Sequence, residues 1–151
     1  MARRLVLSGA LLLSSCSSSV TESTPGPDPS VSVGAIPGCY TVVLGRTPAA
    51  DLSLPALVEL THDPAPGFVD PGRFAVKEPG ASQPRAPISW WAPGSGGALQ
   101  LVLGGGYTGY SFSLQPAGQG SWSGKGEYFA DFGVLPEPSP LPVRLTPRSC
   151  P

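Results

Sequence analysis

Glycine and proline interrupt this chain from end to end. There are 20 of each in 151 residues, against an ordinary combined share of roughly 12%. Glycine disfavours a helix interior through backbone entropy, and proline through its missing N–H and its ring clash. Long helices are therefore largely excluded, and short extended segments between turns remain. Hydrophobic residues make up 40% of the chain, enough for one core, and the length suits one domain. Only 13% of residues are charged and the formal net charge is -1, which leaves no basic face for nucleic acid. With one histidine and no asparagine, multi-histidine metal sites and N-glycosylation sequons are excluded. No metal and no cofactor is expected.

The first fifteen residues read as a targeting segment. Arg3 and Arg4 supply the positive start, and Leu5 to Leu13 form an apolar run broken by Ser8 and Gly9. That run has the length of a signal core and falls well short of the ~20 residues that span a bilayer. It ends in Leu13-Ser14-Ser15-Cys16, which resembles the lipobox of bacterial lipoproteins. The resemblance implies cleavage before Cys16, acylation of its thiol and new amino group, and a bacterial cell envelope address. Ser17 after the cysteine resembles lipoproteins sorted to the outer membrane of a two-membrane cell. An ordinary secretory peptide with an incidental cysteine is the alternative. Each buried acyl CH₂ contributes about 0.8 kcal/mol, so two or three chains hold a soluble domain at a membrane.

Residues 17–36 are rich in Ser, Thr, Pro and Gly, with too few apolar side chains to offset the entropy of ordering. They read as a tether with a range of roughly 25 Å. The expected organisation is a signal peptide at 1–15, a lipidated cysteine and disordered linker at 16–36, and a folded domain at 37–151. With Cys16 acylated, Cys39 and Cys150 remain, one at each end of that domain. An even pair in an exported chain favours a disulfide over two buried thiols. A bridge would make the first and last segments neighbours, because its Cα atoms must lie within about 7 Å.

From Gly38 onward, short segments alternate with period two between turn residues. Cys39–Gly45 places Tyr40, Val42 and Leu44 on one face. Leu54–His62 places Ala56, Val58, Leu60 and His62 together. Arg73–Lys77 sets Phe74 and Val76 against Ala75, and Ile88–Ala92 sets Ile88 and Trp90 against Trp91. Ala98–Leu103 aligns Leu99, Leu101 and Leu103, and Tyr107–Gln115 aligns Tyr110, Phe112 and Leu114. Ser121–Phe129 carries Trp122 and Tyr128, with Gly124 and Gly126 on the core face. Leu141–Thr146 aligns Leu141, Val143 and Leu145 against Arg144 and Thr146. These are eight candidate strands, joined by connections too short for crossover helices. The expected fold is all-β, an antiparallel eight-stranded up-and-down barrel, because closure removes the edge-strand liability. A β-sandwich is the alternative.

Gly38-Cys39-Tyr40, Gly45, Leu54-Pro55 to Leu60, Trp90-Trp91, Tyr107-Thr108-Gly109-Tyr110, Arg144 and Cys150 together resemble a group of bacterial lipoproteins of unknown activity. Those chains begin CYxxxxG and end in Cys, and the resemblance covers nearly all of residues 38–150. More distantly the chain resembles the calycin superfamily, lipocalins and their relatives. That resemblance puts Tyr40 in place of the first-strand tryptophan and Arg144 in place of the last-strand arginine that packs over it.

No motif carries enzyme chemistry. Gly104-Gly105-Gly106 lacks the Lys-Ser/Thr of a phosphate loop and reads as a hairpin turn. Gly120-Ser121-Trp122-Ser123-Gly124 has tryptophan where a nucleophile elbow needs serine. His62 beside Asp63 is the one histidine available as a base, and at a strand end it reads as solvated. Asp63, Asp70, Glu127 and Asp131 have no spacing that suits a calcium site or an acid–base pair. The chain is therefore not read as an enzyme. The aromatics are what is left. Tyr40, Trp90, Tyr110, Phe112 and Trp122, with Arg144, are the expected lining of a barrel mouth that takes a small apolar ligand. The alternative is a filled core whose surface docks an envelope protein or inhibits an exported enzyme. The expected partners are the membrane, through the lipid, and either that ligand or that protein, with no nucleic acid.

Overall fold

A computed structural model of the chain describes residues 35–48, 53–69, 71–82, 89–104, 107–130 and 140–151. Eight strands follow one another: β1 (Gly38–Leu44), β2 (Leu57–Pro64), β3 (Phe74–Lys77), β4 (Trp90–Pro93), β5 (Leu99–Gly104), β6 (Thr108–Pro116), β7 (Trp122–Ala130) and β8 (Leu141–Arg148). Each pairs antiparallel with the next, and β1 pairs antiparallel with β8, so the sheet closes as an up-and-down barrel. No α-helix occurs among the described residues; Ser95–Gly97 forms a short 3-10 segment in which Gly96 takes positive φ. The sandwich alternative is excluded by the continuous run of neighbour pairings.

Closure rests on the β1–β8 ladder, which runs from Cys39 opposite Arg148 to Leu44 opposite Val143. At its outer end Cys39 and Cys150 form a disulfide with Cα atoms 5.2 Å apart. β8 carries Pro142 and Pro147, which cannot donate to a ladder. Pro142 lies opposite Lys125 of β7 but past the last β1–β8 pair, and Pro147 lies opposite Tyr40 of β1 but past the last β7–β8 pair. Each proline thus sits where one neighbouring strand has already stopped.

The alternation read in the sequence sets the core. Tyr40, Val42, Val58, Leu60, Val76, Leu99, Leu101, Leu103, Tyr110, Phe112, Leu114, Trp122, Leu141, Val143 and Leu145 belong to one buried cluster. Leu44 and Phe74 pack against it. The expected second strand is displaced: it begins at Leu57 and runs to Pro64, with Ala56 left exposed before it. A register shift between Leu60 and Pro64 carries this extension, as a bulge does when it bends a strand. The cluster also takes in Ile36, 1% exposed, which the sequence pattern assigned to the linker. The expected signal peptide, Cys16 and the linker up to residue 34 lie outside the described residues.

Gly126 explains how β6 and β7 approach each other. It pairs with Phe112, and a Cβ built on it would lie 2.3 Å from two carbons of that ring. The ring occupies the space that any side chain at 126 would need. Phe112 is fully buried, so it has nowhere to retreat. Gly126→Ala is expected to lower stability by about 1–3 kcal/mol through overpacking, measured as a shifted urea midpoint.

Candidate functional site

The expected site residues fall into two groups. Tyr40, Tyr110, Phe112 and Trp122 point into the barrel, and Trp90 and Arg144 point out of it.

The inward group is packed ring to ring. Tyr40 meets Trp122 edge to face at 5.4 Å. Tyr110 stacks on Phe112 at 5.8 Å and meets Tyr128 edge to face at 5.4 Å. Both polar handles at the Tyr40 end are used. The Tyr40 hydroxyl donates to the Ile36 carbonyl at 2.5 Å, and the Trp122 indole N–H donates to the Gly97 carbonyl at 3.3 Å. Burial pushes the Tyr40 hydroxyl above the ordinary tyrosine pKa, so it remains a donor at neutral pH. The four aromatics are 0–4% exposed. An interior space able to admit a small molecule would leave accessible area on the side chains around it, and these have almost none.

Trp90 requires a correction. In the β4–β5 register Trp91 lies opposite Leu101 and Trp90 opposite Val102, and Leu101 is an inward residue of the core cluster. Antiparallel partners share a face, so Trp91 enters the core and Trp90 faces outward. The Trp91 indole N–H donates to the Thr61 carbonyl at 2.8 Å, and its ring lies 4.8 Å from that of Phe74. Trp90 instead joins a cluster on the outer face. Its ring meets Phe68 at 5.9 Å, and the Arg73 guanidinium lies 4.6 Å from the Trp90 centroid and 4.7 Å from that of Phe68. Ala75 and Val102, on either side of Trp90 in the register, face outward yet are buried.

Arg144 also requires a correction. It alternates with the inward Val143 and Leu145 and lies opposite Val43, which is 50% exposed. Its side chain is on the outer face and exposed, whereas Tyr40 is inside. The packing of arginine over the first-strand aromatic that the calycin resemblance implies is therefore not made. The alternation of β8 already carried this signal.

The remaining candidates do not assemble. His62 is exposed near the end of β2, with its ring 5.8 Å from Phe74 and 6.4 Å from Trp91. Asp63 pairs with Lys77 across β2 and β3. The hydrogen bond from Lys77, and then its charge, hold the Asp63 carboxyl below the ordinary value, while the hydrogen bond to Asp63 raises the Lys77 pKa. Asp63 is largely exposed and Lys77 partly so, and a pair of this kind adds little to stability. Glu127 is exposed on β7, and Asp70 and Asp131 lie outside the described residues. Among the described residues, no three His, Cys, Asp or Glu side chains come together as metal ligands. An open surface pocket of about 240 Å³ lies between the 94–98 turn and the side chains of Gln100, Ser113 and Gln115. None of the expected site residues lines it.

Fold and side-chain packing together define the chain as a closed eight-stranded antiparallel β-barrel with a packed aromatic and aliphatic interior. No family model, curated protein or solved structure matches it.

Proposed function

We propose that this chain is a lipid-anchored protein of the bacterial cell envelope that acts through the surface of a filled barrel, as a protein-interaction or enzyme-inhibitor module. The observation that carries this reading is the packing of Tyr40, Tyr110, Phe112 and Trp122, at 0–4% exposure. A lumenal site for an apolar ligand needs a cavity of roughly 300 Å³ or more, and these four rings stand where its walls would be. The anchor rests on the sequence Leu13-Ser14-Ser15-Cys16 and its resemblance to a lipobox, with the outer membrane as the address in a two-membrane cell. Two features suit a chain held by its N-terminus. Ile36 is buried and bonded to Tyr40, and two residues later Cys39 is bonded to Cys150. Tension on the tether is thus taken up by core packing and a covalent bridge.

Metabolic labelling with a fatty acid tests the anchor. Label is expected in the native chain and absent after Cys16→Ser, and undiminished label in the variant overturns the lipoprotein assignment. A native mass spectrum of the detergent-extracted protein tests the filled barrel. The acylated chain is expected without a co-purifying small molecule. A stoichiometric apolar adduct, retained when the acyl chains are accounted for, overturns it.

A further inference from the structure

The β2–β3 connection presents an apolar tip. Val69 is 99% exposed, while Ala65, where the connection starts, is buried. A defined turn leads into the tip. The Phe68 N–H donates to the Ala65 carbonyl at 3.4 Å, with Pro66 second and Gly67 third at φ 81°. This is the residue pattern of a type II turn, in which proline presets one angle and glycine supplies the positive one. The Ala65 N–H closes the base of the connection by donating to the Arg73 carbonyl at 3.0 Å. Behind the tip, Phe68 leans on Trp90 and the Arg73 guanidinium lies against both rings. A solvated valine directly after a shaped turn, with phenylalanine, tryptophan and arginine behind it, matches the chemistry of a membrane–water interface. There apolar tips enter the headgroup layer, and tryptophan and arginine sit at its boundary.

The position of this tip is as informative as its composition. In an antiparallel meander the connections alternate between the two ends of the barrel. The β2–β3 connection therefore lies at the end where β1 begins, close to the point where the tether enters at Ala35 and Ile36. β2 runs on from Leu60, which is opposite Gly38, to Pro64, and this carries the turn past the start of β1. Arg148, opposite Cys39 at the same end, adds a second positive charge toward anionic headgroups, and Asp63 there is paired with Lys77.

We infer that the Phe68–Val69 segment, which follows the Ala65–Phe68 turn and is backed by Arg73 and Trp90, dips into the headgroup layer of the membrane that holds the chain's own lipid. This second contact fixes which end of the barrel faces the bilayer, and it rests on the lipid-anchor reading above. The contact need not be strong, because a lipid joined to the domain through the roughly twenty residues after Cys16 supplies an effective concentration on the order of millimolar.

The test uses the full acylated chain in vesicles of phosphatidylethanolamine and phosphatidylglycerol that contain lipids brominated near the headgroup. Trp91 and Trp122 are 0–1% exposed, so Trp90 is the tryptophan placed to be quenched by the bromines. Quenching is expected in the native chain, with loss in Trp90→Phe and reduction in Val69→Asp, an exposed position where the charge leaves the core untouched. A mass spectrum of the same sample reports acylation of Cys16. An acylated chain without quenching overturns the membrane contact alone. A sample with no acyl mass overturns the anchor, and the contact with it. Quenching that is unchanged in Val69→Asp also overturns the contact, because the tip is then not what approaches the lipid.

Discussion

Replacing Cys39 and Cys150 together by alanine is expected to lower the free energy of unfolding by about 4–5 kcal/mol while leaving the barrel closed. The bridge spans a sequence separation of 111, and in the chain-entropy account a loop of that size restricts the unfolded ensemble by about this amount. The native state loses little else. The β1–β8 ladder still runs from Cys39 to Leu44, and the aromatic core does not depend on the sulfurs. Alanine at both positions avoids a lone thiol and an unpaired buried hydroxyl at residue 39. Urea unfolding followed by far-ultraviolet circular dichroism checks both halves of the expectation. The strand spectrum of the folded variant should be unchanged, and the midpoint should fall with an altered slope, because the unbridged chain exposes more surface on unfolding. A loss below about 1 kcal/mol would show that the two ends stay together in the unfolded chain without the bond.

That closed architecture was legible because several independent signals agreed. Period-two alternation placed the strands, the turn residues limited the connections, and one cysteine stood at each end of the domain. Tyr110, Phe112 and Leu114 against Ser111 and Ser113 left no doubt about the inward face of β6. β4 was different. Trp90 and Trp91 are adjacent, both large and both aromatic, in a strand of only four residues, so alternation alone does not choose between them. The choice belongs to the register: Trp91 falls opposite Leu101 and Phe74, and neither pairing is local in sequence. The extension of β2 to Pro64 has a similar origin, since the bulge after Leu60 is a property of the pairing with β3. Arg144 was misplaced for another reason. The alternation of β8 put it outside, and the calycin resemblance drew it in.

The candidate site was less legible than the fold for a physical reason. Aromatic side chains on the inward face of a barrel have the same pattern whether they line a cavity or fill it. What separates the two cases is the space left after the rings have chosen rotamers, and Gly126 shows how finely that is set. A missing Cβ admits the Phe112 ring and so removes volume from the interior. The meaning of Phe68, Val69 and Arg73 depends on which end of the barrel they reach, and local sequence does not carry that.

Trp122→Ala tests directly whether the interior is filled. The indole is 1% exposed, meets Tyr40 at 5.4 Å and donates to the Gly97 carbonyl. Its removal is expected to cost about 3–5 kcal/mol, from lost burial and from a cavity that the strands cannot collapse around. The disulfide should be kept intact in this experiment, because a domain of ordinary stability, about 5–15 kcal/mol, then remains folded. The new cavity is bounded by Tyr40, Leu145 and neighbouring core side chains. An apolar cavity of this kind stays dry and accepts an apolar molecule of matching shape. Indole in solution should therefore stabilise Trp122→Ala by about 1.4 kcal/mol when its free concentration is ten times its dissociation constant, seen as a raised unfolding midpoint. The native protein should show no such shift, because Trp122 already occupies the space. A shift of equal size in the native chain would mean that the barrel holds room of its own, and the lumenal-ligand reading would then displace the surface one. A loss below about 1 kcal/mol in the variant would mean that Trp122 is not part of the packed core. Either result is decided by one titration on two proteins.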